Sequence, residues 1–245
     1  DCTNLTSINI PDNVLSIGER AFSGCKELVS VLGGKNIKEI GKNAFDGCQN
    51  LEVLEITENA EVIGESAFYD CRSIKAVIPP KLRRLGKRAF YGSWFDDLFI
   101  PESLTFIDKN ACDGCRLYER ISVHRENPQY DSRGDCNAII ETATNTLIAG
   151  CETTVIPNNV TVIGENAFGG CSLLESITIP EGVTRIENYA FSGCGQLRLI
   201  NIPDSIISIG KSAFYGCNVL SEVLITNLEN WCKIDFEEVG NPLST

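Results

Sequence analysis

The sequence predicts a stacked solenoid, curved and right-handed, of about eight 22–23-residue repeats of short strands and one helical turn, with a β-hairpin insert. Three observations predict it. Ala-Phe pairs recur at Ala21-Phe22, Ala44-Phe45, Ala67-Phe68, Ala89-Phe90, Ala167-Phe168, Ala190-Phe191 and Ala213-Phe214, with Ala111-Cys112 as a degenerate copy. Most pairs open the same string, Ala-Phe-x-Gly-Cys-x-x-Leu-x-x-Ile-x-Ile-Pro-x-x-Val-x-x-Ile-Gly. The steps between the phenylalanines are 22 or 23 residues within each block. A fixed period of this size marks an array whose units cannot bury an apolar face alone and so seal one another.

Within a unit, Leu174-x-x-Ile177-x-Ile179 alternates with period two and reads as a strand. Pro180 ends it, because proline has no N–H for a ladder. Val183-x-x-Ile186 is a second short extended piece. A glycine after that isoleucine, as in Ile163-Gly164, is expected to permit a turn at positive φ. Ala-Phe-x-Gly-Cys reads as one helical turn. The chain is expected to be a single solenoid over residues 1–245. It divides into a first repeat block (1–123), a hairpin insert (124–150), a second repeat block (151–226) and an irregular tail (227–245). It starts at Asp1-Cys2, in the middle of a unit, and is expected to be a piece of a longer array.

The composition narrows function. A formal net charge of -12 and a pI near 4.6 exclude a chain built to hold phosphates, and no basic stripe is read in the sequence. An anionic membrane surface repels such a chain. No apolar run approaches the ~20 residues needed to cross a bilayer, so no direct membrane insertion is expected. No phosphate-cradling glycine motif is present, and the glycines fall at repeat turns. His124, the single histidine, stands between Val123 and Arg125 with no serine or cysteine elbow, so no catalytic residue, metal or cofactor is assigned.

These residues resemble the BspA-type leucine-rich repeat family of bacterial surface proteins. Ser176-Ile177-Thr178-Ile179-Pro180-Glu181-Gly182-Val183-Thr184-Arg185-Ile186 followed by Ala190-Phe191-Ser192-Gly193-Cys194 is similar to the family unit throughout. The insert around Asn127-Pro128-Gln129-Tyr130 and Cys136-Asn137-Ala138-Ile139-Ile140, and the tail segment Trp231-Cys232, Phe236 and Asn241-Pro242-Leu243, also look like family elements. The resemblance implies a cell-surface or extracellular location and a non-enzymatic role in adhesion. The partner is then a protein, either host extracellular matrix or another bacterial surface protein. The alternative is a passive spacer within a larger extracellular protein. The departures are Ser93 for the unit cysteine, Cys112 for the unit phenylalanine, and two shortened steps.

Of twelve cysteines, Cys2, Cys25, Cys48, Cys71, Cys115, Cys171, Cys194 and Cys217 hold one slot of the unit. Equivalent side chains in a stack point the same way, which disfavours disulfide torsion, so they read as a buried file of inert thiols. Cys112-Asp113-Gly114-Cys115 reads either as a redox or half-zinc motif or as two core slots; the missing second motif favours the slots. Cys136 and Cys151 flank a predicted hairpin centred near Ala143-Thr144. They are either a cross-strand disulfide or two core thiols.

The candidate binding face is the outward side of the first strand of each unit. It comprises Ser7, Asn9, Ser30, Leu32, Val53, Glu55, Arg120, Ser122, Ser176, Thr178, Leu199, Asn201, Glu222 and Leu224. Leu32, Val53, Leu199 and Leu224 are odd in water-facing slots and suggest contacts. Sparse aromatics argue against stacking on sugars. Arg133, Gly134 and Asp135 form an Arg-Gly-Asp at the hairpin entrance. It is either an adhesive loop or a chance match in a turn.

Overall fold

The computed structural model describes residues 2–55, 58–74, 78–112, 116–237 and 242. Cys115, Asn241 and Leu243 lie outside the described residues, as does the side chain of Trp94, so the Cys112–Cys115 motif and part of the tail segment are set aside. The chain forms two compact units. One is Asp1–Arg116 with Val123–Pro128, the other Leu117–Ser122 with Gln129–Thr245.

Each unit is a solenoid of stacked coils, as the period predicts. In the first, the strands Ser7–Ile10, Ser30–Gly33 and Val53–Leu54 pair in parallel, with Ser7 beside Ser30 and Ser30 beside Val53. The short strands Ser16–Ile17, Glu39–Ile40, Val62–Ile63, Arg84–Leu85 and Phe106–Ile107 form a second parallel sheet. Between the sheets runs a file of rings. Phe22, Phe45, Phe68 and Phe90 stack at 5.2, 5.3 and 5.2 Å with planes within 9° of parallel. Phe95 closes the file edge-on to Phe90 and is buried, a plug at the irregular joint.

The second unit repeats this plan. Ser176–Ile177, Leu199–Ile202 and Glu222–Ile225 form one parallel sheet, and Phe168, Phe191 and Phe214 stack at 5.0 and 5.4 Å. The hairpin Ala138–Glu141 and Thr146–Gly150 is present where predicted. It is no bulge on the stack. The sheet opens with antiparallel Tyr130–Asp131, Ala138–Glu141 and Thr146–Gly150; Thr146–Gly150 then pairs in parallel with Val162–Ile163, and the sheet continues through Arg185–Ile186 and Ser208–Ile209 to Asp235–Phe236. Gly150 stands where other coils place phenylalanine. Its N–H donates to the Ala167 carbonyl, and a Cβ there would meet the Phe168 ring at 2.3 Å. The tail also rejoins the stack: Asn227 caps the short helix Leu228–Trp231, and Asp235–Phe236 is the last rung.

The third side of each coil carries the Ala-Phe-x-Gly-Cys stretch. The predicted helical turn resolves into overlapping three-residue-spaced turns, with Ala21, Ser23 and Cys25 donating to the carbonyls of Gly18, Arg20 and Phe22. Left-handed residues interrupt them, such as Asn43 (φ 53) and Gly47 (φ 73), so a helix cannot propagate. The spare donors turn to the next coil: the N–H of Phe22, Phe45 and Phe68 donates to the carbonyls of Ala44, Ala67 and Ala89 at 2.7–2.8 Å.

Two readings of local chemistry change. Glycines after the isoleucine are not at positive φ; Gly24, Gly47, Gly170, Gly193 and Gly216, before the unit cysteine, are, and Asp70 (φ 58) takes that place before Cys71. Gly41, Gly64, Gly86, Gly164 and Gly210 are required by stacking, since a Cβ on them would sit 2.5–2.9 Å from atoms of the coil before. The cysteine slot is also more than apolar filling. Cys48 and Cys71 donate S–H to the carbonyls of Phe22 and Phe45 at 3.1 Å, and Cys194 and Cys217 do the same to Phe168 and Phe191 at 3.2 Å. Ser93, the departure from the pattern, keeps the bond, its hydroxyl donating to the Phe68 carbonyl at 3.3 Å. The slot selects a small donor rather than sulfur.

Candidate binding face

Strand alternation positions the face. In the second unit Ile177, Ile179, Ile200 and Ile202 are buried, and Ser176, Thr178, Leu199 and Asn201 between them are not. In the first unit Ile10 and Val31 are buried while Ser7, Asn9 and Leu32 face water and Ser30 is half-buried. Register then aligns the outward residues in rows. Ser7, Ser30 and Val53 form one, Asn9 and Leu32 another. In the second unit the rows are Ser176, Leu199 and Glu222, then Asn201 and Leu224. Leu32, Val53 and Leu224 are 37%, 44% and 52% exposed, the apolar exposure expected from sequence. Arg120 is exposed and Ser122 half-buried in the strand Arg116–Val123.

Not every outward side chain is available to a ligand. The Asn201 amide takes the place of a ladder rung: its Oδ1 accepts the Ile179 N–H at 2.6 Å and its Nδ2 donates to the Ile179 carbonyl at 2.8 Å. Glu55 Oε2 accepts the Gly33 N–H at 3.2 Å. Both serve the stack. Residues that the period did not flag add apolar surface at the end of the second unit: Ile225, beside Ile202 in the inward row, is 37% exposed and Leu228 in the short helix 68%. Beside them lies a shallow depression, with room for about one water, lined by Ile202, Pro203, Ile225, Asn227, Trp231 and Ile234. The tail breaks the period there, so the period gave no sign of it.

The hairpin entrance has its own geometry. Arg133–Asp135 is a short 3₁₀ turn with Gly134 at φ 67. The Arg133 guanidinium is spent locally, donating to both carboxylate oxygens of Asp131 and to Asn145 Oδ1 at 2.9 Å. Asp135 is fully outward, 4.0 Å from Arg120. The arginine of the Arg-Gly-Asp therefore braces the hairpin. Cys136 and Cys151 are free, buried thiols, so the disulfide reading is corrected in favour of two core thiols. A bulge between Ile139 and Ile140 moves the register off the symmetric pairing that would have set them opposite. Cys136 bonds toward Ser132 and the Ala138 carbonyl, Cys151 toward the Asn137 carbonyl. His124 lies edge-on to Phe99 and its Nδ1 accepts the Glu126 N–H at 3.3 Å, a turn contact. Among the described residues no group of three or more His, Cys, Asp or Glu could hold a metal ion, and no helix is long and apolar enough to cross a membrane.

The family model for the BspA type leucine rich repeat region matches residues 1–118 and 147–240 in six copies. None of the curated proteins matches the sequence. Among solved structures, the chain is similar to a leucine-rich repeat protein from Bacteroides ovatus, with 28% identity and a TM-score of 0.66 over 94% of this chain and 59% of that one. It is similar in fold to the pneumococcal vaccine antigen PcpA, with 23% identity and a TM-score of 0.77 over 89% of this chain and 58% of that one. A leucine rich cell surface protein from Faecalibacterium prausnitzii shares 26% identity at a TM-score of 0.49, over 94% of this chain and 82% of that one. The chain thus spans less than two thirds of the Bacteroides and pneumococcal proteins.

Proposed function

The chain belongs to the BspA-type leucine-rich repeat family, and from that premise we propose that it is a non-enzymatic, protein-binding module of a bacterial cell-surface or secreted protein. The observation that carries this reading is the set of outward rows on the strand face. In a chain of net charge -12, where water-facing residues are mostly polar, Leu32, Val53 and Leu224 hold their apolar side chains to solvent. Stranded apolar surface of this kind gains by being covered. The rows are pre-ordered by the ladders, so little entropy is lost when a partner settles on them. The partner class the family resemblance supports is host extracellular matrix or another bacterial surface protein.

A second reading has an observation of its own. Asn201 and Glu55, two of the outward residues, bond to the neighbouring coil, which suits a passive spacer whose surface serves its own stacking. A binding titration of this chain against matrix proteins separates the two. Ser30→Asp places a charge mid-row and Ser176→Asp one at a row's end, neither in the buried core. A binding module is expected to lose at least tenfold in affinity, about 1.4 kcal/mol. Unchanged capture by both variants, or none by the parent chain, leaves the spacer.

A further inference from the structure

Apart from the strand face, we propose that the second-sheet side of the first unit binds a linear sulfated polysaccharide. The whole-chain charge conceals a local excess. Residues 81–88 read Lys-Leu-Arg-Arg-Leu-Gly-Lys-Arg, five cations with no anion. Stacking sets this strip between two others. Arg84 lies beside Val62 on one side and Phe106 on the other, and the Arg83 N–H donates to the Glu61 carbonyl. Across the five strips 12–19, 35–42, 58–66, 81–88 and 102–109, nine cations face eight anions, and the cationic excess sits in 81–88. The side is therefore net positive, while the rest of the molecule carries more than the whole negative balance. The sequence reading of no basic stripe follows from the total and misses what stacking gathers.

Three of these anions, Glu61, Glu65 and Asp108, are engaged by cations of the same side. Glu61 is held by Lys38 at 2.8 Å and lies 3.7 Å from Arg83, and Glu65 is held by Lys42 at 2.7 Å. Arg83 and Arg84 remain 73% and 54% exposed, and Lys81 and Lys87 face water. Distant carboxylates do not cancel this side, because charges beyond about 8 Å are screened at physiological ionic strength. The exposed cations follow one another along a single strip, at Lys81, Arg83, Arg84 and Lys87, and recur two coils away at Lys38 and Lys42, a set that suits several anions on one polymer better than a single one. Sulfate esters match guanidinium forks with two parallel hydrogen bonds. Single-stranded nucleic acid fits less well. Its binders add several open aromatic faces for bases, and on this side Phe106, 44% exposed, has one face taken by the Arg84 guanidinium at 4.4 Å. A planar anionic membrane would bring the acidic remainder of the chain against like charge.

The test is a titration of the intact chain with heparin, with fully desulfated heparin, a single-stranded oligonucleotide and phosphatidylserine vesicles alongside. Heparin is expected to bind at least tenfold tighter than each of the others, and to weaken as salt rises. Lys81→Gln, Arg83→Gln and Arg84→Gln together are expected to cost at least tenfold with the circular dichroism spectrum unchanged. Lys81→Arg is expected to retain binding. Should the triple variant not fold, Lys81→Gln with Lys87→Gln, both at exposed positions, is expected to show the same loss. Equal binding of desulfated polymer overturns the proposal, as do an unaffected folded variant, a preference for oligonucleotide or vesicles, and no binding to heparin. The strand-face variants Ser30→Asp and Ser176→Asp are read separately against protein partners, so either proposal can fail alone.

Discussion

Gly18 and Gly86 occupy one slot of the repeat, yet their surroundings differ. A Cβ on Gly18 would meet nothing within 4 Å, whereas on Gly86 it would lie 2.5 Å from the Glu65 backbone nitrogen and 2.6 Å from the Gly64 carbonyl carbon. Neither is at positive φ, so an alanine is not barred by its own backbone. Gly86→Ala is expected to destabilise by about 1–3 kcal/mol through overpacking against main chain that cannot step aside. Gly18→Ala is expected to be neutral or slightly stabilising. Urea unfolding of the two variants checks this, and equal costs would mean that stacking does not set the slot. The slot itself was plain in the sequence, but its reason was not. Isoleucine followed by glycine looks like turn chemistry, and only the coil beneath shows that the missing atom is the point. The cysteine slot is similar. The period marked it as buried, while Ser93 shows that a hydrogen-bond donor to the previous coil is what it needs.

At the scale of elements, strand alternation and period were enough to place inward and outward residues. Every outward candidate described is at least partly exposed, and the isoleucines between Ser176 and Asn201 are buried. The hairpin was legible from its two apolar runs around a polar turn. Its union with the second sheet was not, because parallel pairing with Val162–Ile163 depends on where the stack lies. Asn201 shows the same limit from the other side. Read alone it is a polar residue on a face, but Ile179, 1% exposed, would be left with an unpaired N–H and carbonyl without it. Asn201→Ala is expected to cost about 1–3 kcal/mol, the penalty of stranded buried backbone groups. It should also release hydrogen-exchange protection at the Ile179 amide. A neutral substitution with that amide still protected would return Asn201 to the binding face.

For the molecule as a whole, the file of thiols couples folding to pH. Burial, reinforced by the charge of Cys25, pushes the Cys48 thiol up to about 12. Burial also pushes Cys71 and Cys171 well above their ordinary value. In the unfolded chain these thiols ionise near 8.5. A group whose pKa is raised by folding lends stability that is fully present below the unfolded value and is lost as pH climbs through it. Melting temperature is therefore expected to hold steady to about pH 8 and then fall. Each retained thiol forfeits about 2 kcal/mol by pH 10. Melts under reducing conditions from pH 7 to 10.5 measure the fall. Cys71→Ser separates the thiols from other alkaline titrations, since a hydroxyl does not ionise in that window and Ser93 already fills the equivalent place beneath the Phe68 carbonyl. The variant is expected to lose less on going from pH 8 to 10 than the parent chain. A parallel descent of the two curves would assign the alkaline loss elsewhere. The same burial holds these sulfurs from reagents, so alkylation of the native protein is expected to reach the exposed Cys2 and Cys232 well before Cys48, Cys71 or Cys194.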